Sequence, residues 1–152
     1  MYASVPTGCL VLVCDGSKAV FYKNVGTALA ISLSAISSLE EHHAPTRELG
    51  TDRPGRTVNP ANGSRSAVEG TDWHQRAETE FIARVAARLE QLLPDHPTTS
   101  LILIAPQRAL GILRDRMQGA AKGITSLEIA KDLVKTPKPQ LEDYLQSLGR
   151  SV

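Results

Sequence analysis

Four arginines lie close together in one polar segment, and their side chains could bind anions. The segment runs from Pro45 to His74 and is rich in glycine and proline. Guanidinium groups bind phosphates and carboxylates in a bidentate geometry. A Pro-Gly pair between the second and third arginines predicts a turn that carries both of them on one tip. The pattern favours a loop that binds an anion or an RNA backbone through Arg47, Arg53, Arg56 and Arg65.

The same segment also has a purely structural interpretation. Its acidic residues could pair with the arginines, so that the loop wraps the sheet or forms a dimer contact. Trp73 would then anchor the loop on the following helix, whereas its other possible use is as a stacking platform for a base. The acidic candidates are Glu48, Asp52, Glu69 and Asp72.

Composition limits the class of protein. A chain of 152 residues is long enough for a real core, and we expect a single domain over residues 1–152. A formal net charge of +1 excludes attraction of the whole surface to nucleic acid or anionic membranes, although a local basic patch is compatible with it. No feature indicates DNA specificity. No apolar run approaches the ~20 residues of a membrane span, and the N-terminus lacks signal-peptide features, so we expect a cytoplasmic protein.

The two cysteines are expected to be buried and reduced. Cys9 and Cys14 occur in the apolar run CLVLVC, which is typical of a strand. They are separated by an odd number of positions, so their side chains point to opposite faces of the strand and cannot form a disulfide with each other.

Three apolar segments predict an antiparallel meander at the start of the chain. GCLVLVCDG is a continuous apolar run that ends in a turn, and KAVFYKN follows a bend at Asp15 to Lys18. LAISLSAISSLE alternates Leu29, Ile31 and Leu33 with small or polar residues, as a third strand would. A long irregular loop over residues 42–71 then separates the meander from the first helix.

The second half of the chain alternates predicted helices and strands. TDWHQRAETEFIARVAARLEQLL is an amphipathic helix capped by Thr71 or Asp72, and SLILIAP is a strand buried on both faces. PQRALGILRDRMQ predicts a helix with Pro106 in its first turn, GITSLEIAKDL contains a fifth strand, and TPKPQLEDYLQSL predicts a helix capped by Thr136. The apolar stripe of the first helix comprises Ala77, Phe81, Val85, Leu89 and Leu92, and that of the last comprises Leu141, Leu145 and Leu148.

This order of elements predicts an α/β fold with a mixed five-stranded sheet, strand order 3-2-1-4-5, and helices on its faces. The arrangement fits the ribonuclease-H-like fold. In this order the ends of the first and fourth strands are neighbours, so Asp15, Gln107 and Arg108 would meet at one edge. The amides that open the second helix would favour an anion there. The arginine-rich loop, with Trp73 and His74, could fold over the same edge.

The sequence indicates no catalytic, metal or cofactor site. A two-metal nuclease of this fold needs several carboxylates, and Asp15 with Glu78 or Glu80 would supply two of them. The fourth strand ends LIAPQR, which has no acid for the third position. Asp15 is equally suited to capping its own hairpin turn. The four histidines have no zinc-motif spacing, and no phosphate-binding glycine motif is present.

Several blocks of the sequence resemble the bacterial host attachment family, described as required for attachment to host cells. The blocks are VLVCDGSKAVFYKN, PTRELGTDRPGR, GSRSAVEGTDWH and LILIAPQRALGILR, and the resemblance runs from about Gly8 to Leu148. The family is distantly similar to the middle domain of archaeal and eukaryotic peptide release factors, which implies a ribosome- or RNA-associated ancestor. No Gly-Gly-Gln loop for peptide hydrolysis is present, so the resemblance does not imply hydrolytic release.

Three hypotheses follow. The first is a non-catalytic module that binds RNA or the ribosome through the arginine-rich loop. The second is a structural or interaction protein, such as a homodimer, in host attachment or stress physiology. The third is a small phosphoester hydrolase with a pocket lined by Asp15, Arg53, His74 and Arg108. The first is favoured, and none of them requires a cofactor.

Overall fold

The structure, a computed structural model, describes residues 5–41 and 63–150. For residues 63–73 and 149–150 the description covers the backbone alone. Within these ranges the strands are β1 (Leu10–Cys14), β2 (Lys18–Asn24), β3 (Leu33–Glu40), β4 (Leu101–Ala105) and β5 (Thr125–Ala130). The helices are α1 (Gly63–Leu92), α2 (Gln107–Arg116), α3 (Gly119–Ile124) and α4 (Lys138–Arg150).

The five described strands form one open mixed sheet in the order β3-β2-β1-β4-β5. β2 pairs antiparallel with both β1 and β3, which confirms the predicted meander. β4 pairs parallel with β1 and with β5. The α/β class and the strand order predicted from the sequence are therefore confirmed.

The core lies on both faces of this sheet. Every residue of β1 and of β4 is buried, as the continuous apolar runs predicted. On one face the buried side chains of α1, α2 and α3 pack on Leu10, Leu12 and Leu103. On the other face Leu141 and Leu145 of α4 pack on Val11, Val13 and residues of β4. The predicted inward stripes of the first and last helices are confirmed except at Ala77, which belongs to neither cluster.

Two predicted boundaries were wrong because local turns displace them. The third strand begins at Leu33, because the Thr27 amide and hydroxyl both bond Ala30 in a turn before it. Leu29, predicted to lie in that strand, is 90% exposed. The last helix begins at Lys138, so Thr136 lies one residue before the capping position. The short helix α3 was not predicted.

A third boundary differs more strongly. α1 begins at Gly63, so Thr71 and Asp72 lie inside the helix and the prediction that either caps it was wrong. The last part of the predicted loop, residues 63–71, is therefore helical. Residues 42–62 of that loop lie outside the described residues.

One buried polar residue joins the ends of β2 and β3. Asn24 is fully buried, and its Nδ2 group donates to the backbone oxygens of Val5, Pro6 and Thr27. Its Oδ1 atom accepts from the amides of Gly26 and Ser32. Both ends of the amide are thus satisfied, which burial of a polar side chain requires.

We expect Asn24→Asp to lower the free energy of unfolding by about 1–3 kcal/mol. A carboxylate cannot donate to the three backbone oxygens that Nδ2 contacts, and it would lie buried beside them. The measurement is urea denaturation, with the exposed change Gln140→Glu as the matched control. Equal midpoints for the two variants would contradict this role of Asn24.

Candidate functional site

The parallel pairing of β1 with β4 brings their carboxyl ends to one edge of the sheet. Leu10 is level with Leu101, and Val13 is level with Ile104. The turn after β1 and the start of α2 after β4 therefore emerge side by side. We call this region the carboxyl edge, and define it by residues 15–18 and 106–108.

Asp15 forms the turn that leaves β1. Its Oδ1 atom accepts hydrogen bonds from the backbone amides of Ser17 and Lys18, each at 2.8 Å. Its own amide donates to the Lys18 carbonyl at 2.9 Å. These contacts correspond to the turn-capping interpretation of Asp15, in which the carboxylate organises the hairpin.

Glu78 of α1 joins the two halves of the carboxyl edge. Its Oε1 atom lies 2.8 Å from Nε of Arg108, which opens α2. The Arg108 side chain is 55% exposed and that of Glu78 is 24% exposed. On the other side Glu78 lies directly over Gly16, where an added Cβ would be 2.8 Å from Oε2.

The Glu78–Arg108 pair was not anticipated from the sequence. Glu78 was considered only as a metal ligand, and Arg108 only as an anion-binding group. The predicted strand order could have indicated the pair. In that order α1 connects β3 to the start of β4, so α1 must begin near the edge of the sheet where β4 ends and α2 begins.

The start of α2 leaves backbone donors at the carboxyl edge. Pro106 occupies the N-cap position rather than the first turn, and no side chain among the described residues caps the helix. The first turn contains no acidic residue. The first amides of a helix lack intrahelical partners and favour negative charge. Gln107 and Arg108 are exposed here, as is His74 on α1.

α1 extends well past this edge. Its 30 residues correspond to about 45 Å of helix, against about 17 Å for a five-residue strand such as β1. Glu78 already packs over the turn beyond β1, so residues 63–77 continue outward from the carboxyl edge. The backbone positions of Arg65 and Trp73 belong to this outer section. Arg47, Arg53 and Arg56 lie outside the described residues.

The cysteines are buried in opposite layers, as predicted. Cys14 belongs to the cluster under α1 and α2, and Cys9 to the cluster under α4. Both are free thiols. Burial, followed by the charge of Asp15, raises the pKa of the Cys14 thiol to about 12. Burial also raises the pKa of Cys9, against the opposing effect of a hydrogen bond with Ser100.

Among the residues with described side chains, no group of three or more His, Cys, Asp or Glu residues could hold a metal ion. The same part of the chain contains no helix that is long and apolar enough to cross a membrane.

The open mixed sheet and its polar edge define an α/β protein whose candidate site lies where two parallel strands end. Comparison with protein families adds its lineage: residues 10–145 match the family described as "Protein required for attachment to host cells". The match spans most of the chain, and the chain belongs to this host attachment family, which confirms the resemblance of its sequence blocks. No curated protein matches the chain.

We expect the Glu78–Arg108 pair to contribute less than about 1 kcal/mol to stability, because Arg108 is mostly solvated. A double-mutant cycle of Glu78→Gln and Arg108→Gln, followed by urea denaturation, measures the coupling. In a Gly16→Ala background the new methyl group displaces Glu78, so the coupling falls toward zero. The Arg114–Glu128 pair lies elsewhere and should keep its coupling in that background. Loss of both couplings, or of neither, would contradict the contact.

We expect alkaline pH to destabilise the protein partly through Cys14. The unfolded thiol has a pKa near 9.0, whereas the folded thiol has a pKa of about 12. Stability from this group is therefore complete below pH 9.0 and is lost as pH rises toward about 12, because only the unfolded chain releases the proton in that range. Urea denaturation across this range should show a shallower fall for Cys14→Ala than for the unchanged protein. Parallel slopes would refute the assignment.

Proposed function

We propose that this host attachment protein is a non-catalytic module that binds RNA, in the setting of the ribosome, at the carboxyl edge of its sheet. The arginine-rich segment around residues 47–65 would contact the phosphate backbone. The carboxyl edge would position it.

The observation that carries the proposal is the adjacency of the β1 and β4 carboxyl ends. From β1 the chain turns toward β2 on one side, and from β4 it passes toward β5 on the other. In open α/β sheets, ligands bind outside the carboxyl ends of strands at such a switch in direction. The mostly exposed Arg108 and the uncapped amides of α2 lie at this point.

The Glu78 carboxylate would compete with an incoming anion for Arg108. A phosphate that approaches Arg108 must share or replace the Glu78 carboxylate, which lies 2.8 Å from Nε. Because an exposed ion pair contributes little free energy, replacing the Glu78 carboxylate with a phosphate costs little. The outer section of α1, which carries Arg65, Trp73 and exposed Arg76, would supply further contacts beside the edge.

The fold supports the ribosomal setting by analogy. The strand order, with a three-stranded meander followed by two parallel strands, supports our proposal that the chain has the ribonuclease-H-like arrangement. The family's distant similarity to the middle domain of release factors suggests an RNA partner. The chain has no Gly-Gly-Gln sequence, and one carboxylate oxygen of Asp15 accepts hydrogen bonds within its own turn. We therefore propose binding without hydrolysis. A ribosomal partner would imply a cytoplasmic location.

We expect the purified protein to co-sediment with ribosomes or with total RNA at low salt, and to lose that binding at moderate salt. Counterion release makes phosphate contacts strongly salt-dependent, with a slope near 0.7 per contact for single strands. A variant with Arg47, Arg53, Arg56 and Arg65 changed to alanine should lose most of the binding and most of the salt slope.

A matched variant separates a local site from general charge. Changing Lys23, Arg114, Arg116 and Lys122 to alanine removes the same number of positive charges from positions away from the carboxyl edge. Lys23 is level with Leu10 at the other end of β1, and the other three lie at the end of α2 or in α3, before β5 begins. We expect it to retain binding. Equal losses in the two variants, or no binding at low salt, would overturn the proposal. Salt-insensitive self-association by sedimentation velocity would instead favour the homodimer, and phosphoesterase activity that requires Arg108 would favour the hydrolase.

A further inference from the structure

A second concave site lies between α1 and α2, away from the carboxyl edge. It is a groove of about 660 Å³ that follows α1 from Thr79 to Glu90 and the later turns of α2. Its charged lining residues are Glu90, Asp115 and Arg116. A smaller cavity of about 380 Å³ has Leu93, Pro94 and Ile124 among its walls. Glu90 lines both spaces.

The carboxylate of Glu90 is incompletely satisfied. Its Oε2 atom is buried and accepts no hydrogen bond from the described part of the chain. A buried carboxylate oxygen without a donor is costly, and such atoms in native proteins call for a partner. Asp115 lines the same groove and adds a second acidic residue to its wall.

The rest of the groove suits a hydrocarbon chain. Ala83, Ala86 and Ala87 present methyl groups along α1, and Ile112 faces them from α2. The small alanine side chains are what leave the space open. The volume falls in the range of about 300–1,000 Å³ that is typical of small-molecule sites.

We propose that this groove binds a small aliphatic amine. The ammonium group donates to the Glu90 carboxylate and is balanced by Asp115, and the methylene chain lies along the alanines. The proposal is independent of RNA binding, because it uses none of the residues of the carboxyl edge. Arg116 lines the same groove, so an aliphatic carboxylate is the competing ligand and forms one arm of the test.

The test uses three probes of equal length: n-pentylamine, n-pentanol and pentanoate. Each is titrated into the ¹⁵N-labelled full chain and followed by amide chemical shifts. We expect pentylamine alone to give saturable shifts, centred on residues 83–90 and 112–118. Pentanol and pentanoate should bind at least about tenfold more weakly, since neither places a charged donor at Glu90.

Variants then assign the binding to the carboxylates. Glu90→Gln should weaken pentylamine binding by about tenfold, and Asp115→Asn, at an exposed position, by a smaller factor. Glu128→Gln removes an equal charge from β5 and should leave binding unchanged. Equal binding of pentanol, preference for pentanoate, absence of saturable shifts, or unchanged affinity in both Glu90→Gln and Asp115→Asn would each overturn the proposal.

Discussion

The burial of β1 and β4 on both faces is the constraint on which the rest of the structure depends. Neither strand presents a face to water, so helices must cover the sheet from both sides. α1, α2 and α3 cover one side, and α4 covers the other. Because β1 and β4 are parallel, the chain must cross back over the sheet between them, and α1 is that crossover.

The same constraint decides where polar chemistry can occur. Side chains within the two central strands are committed to the core, so functional groups are confined to the points where the strands end. At the carboxyl edge the polar residues Asp15, Gln107 and Arg108 follow neighbouring strands, and Glu78 of the crossover helix joins the two sides. α1 thus takes part in the core, in the carboxyl edge and in the groove beside α2.

The features predictable from the sequence were those set by long apolar patterns. LILIA is typical of a strand buried on both faces, and the spacing of Phe81, Val85 and Leu89 is typical of a helix packed on one side. The strand order was predicted from the order of all the elements and its fit to the ribonuclease-H-like arrangement. The start of α1 was not predictable, because its first turns contain two glycines, serines and a cap-like Thr71–Asp72 pair. Each glycine destabilises a helix by roughly 1 kcal/mol relative to alanine. A helix that is already nucleated over Ala77–Leu92 can extend through these residues.

The contacts missed by sequence reasoning are those between residues far apart in the chain. Glu78 and Arg108 are on different helices, and neither has a local pattern that indicates the other. Leu29 fits the alternating pattern of a strand, but the hydrogen bonds between Thr27 and Ala30 place it in a turn before β3. The groove beside α2 depends on which alanines of α1 face α2, and only the packing of the two helices defines that.

The central claim is that RNA binds at the carboxyl edge, and mapping the contact is its most direct test. A short single-stranded RNA would be titrated into the ¹⁵N-labelled chain at low salt while amide shifts are followed. We expect shifts among the described residues to concentrate at 15–18, 74–78 and 106–109, and added salt to reverse them. Shifts centred on residues 142–148 of α4, which lie toward the opposite edge of the sheet, or no shifts at low salt, would contradict RNA binding at the carboxyl edge.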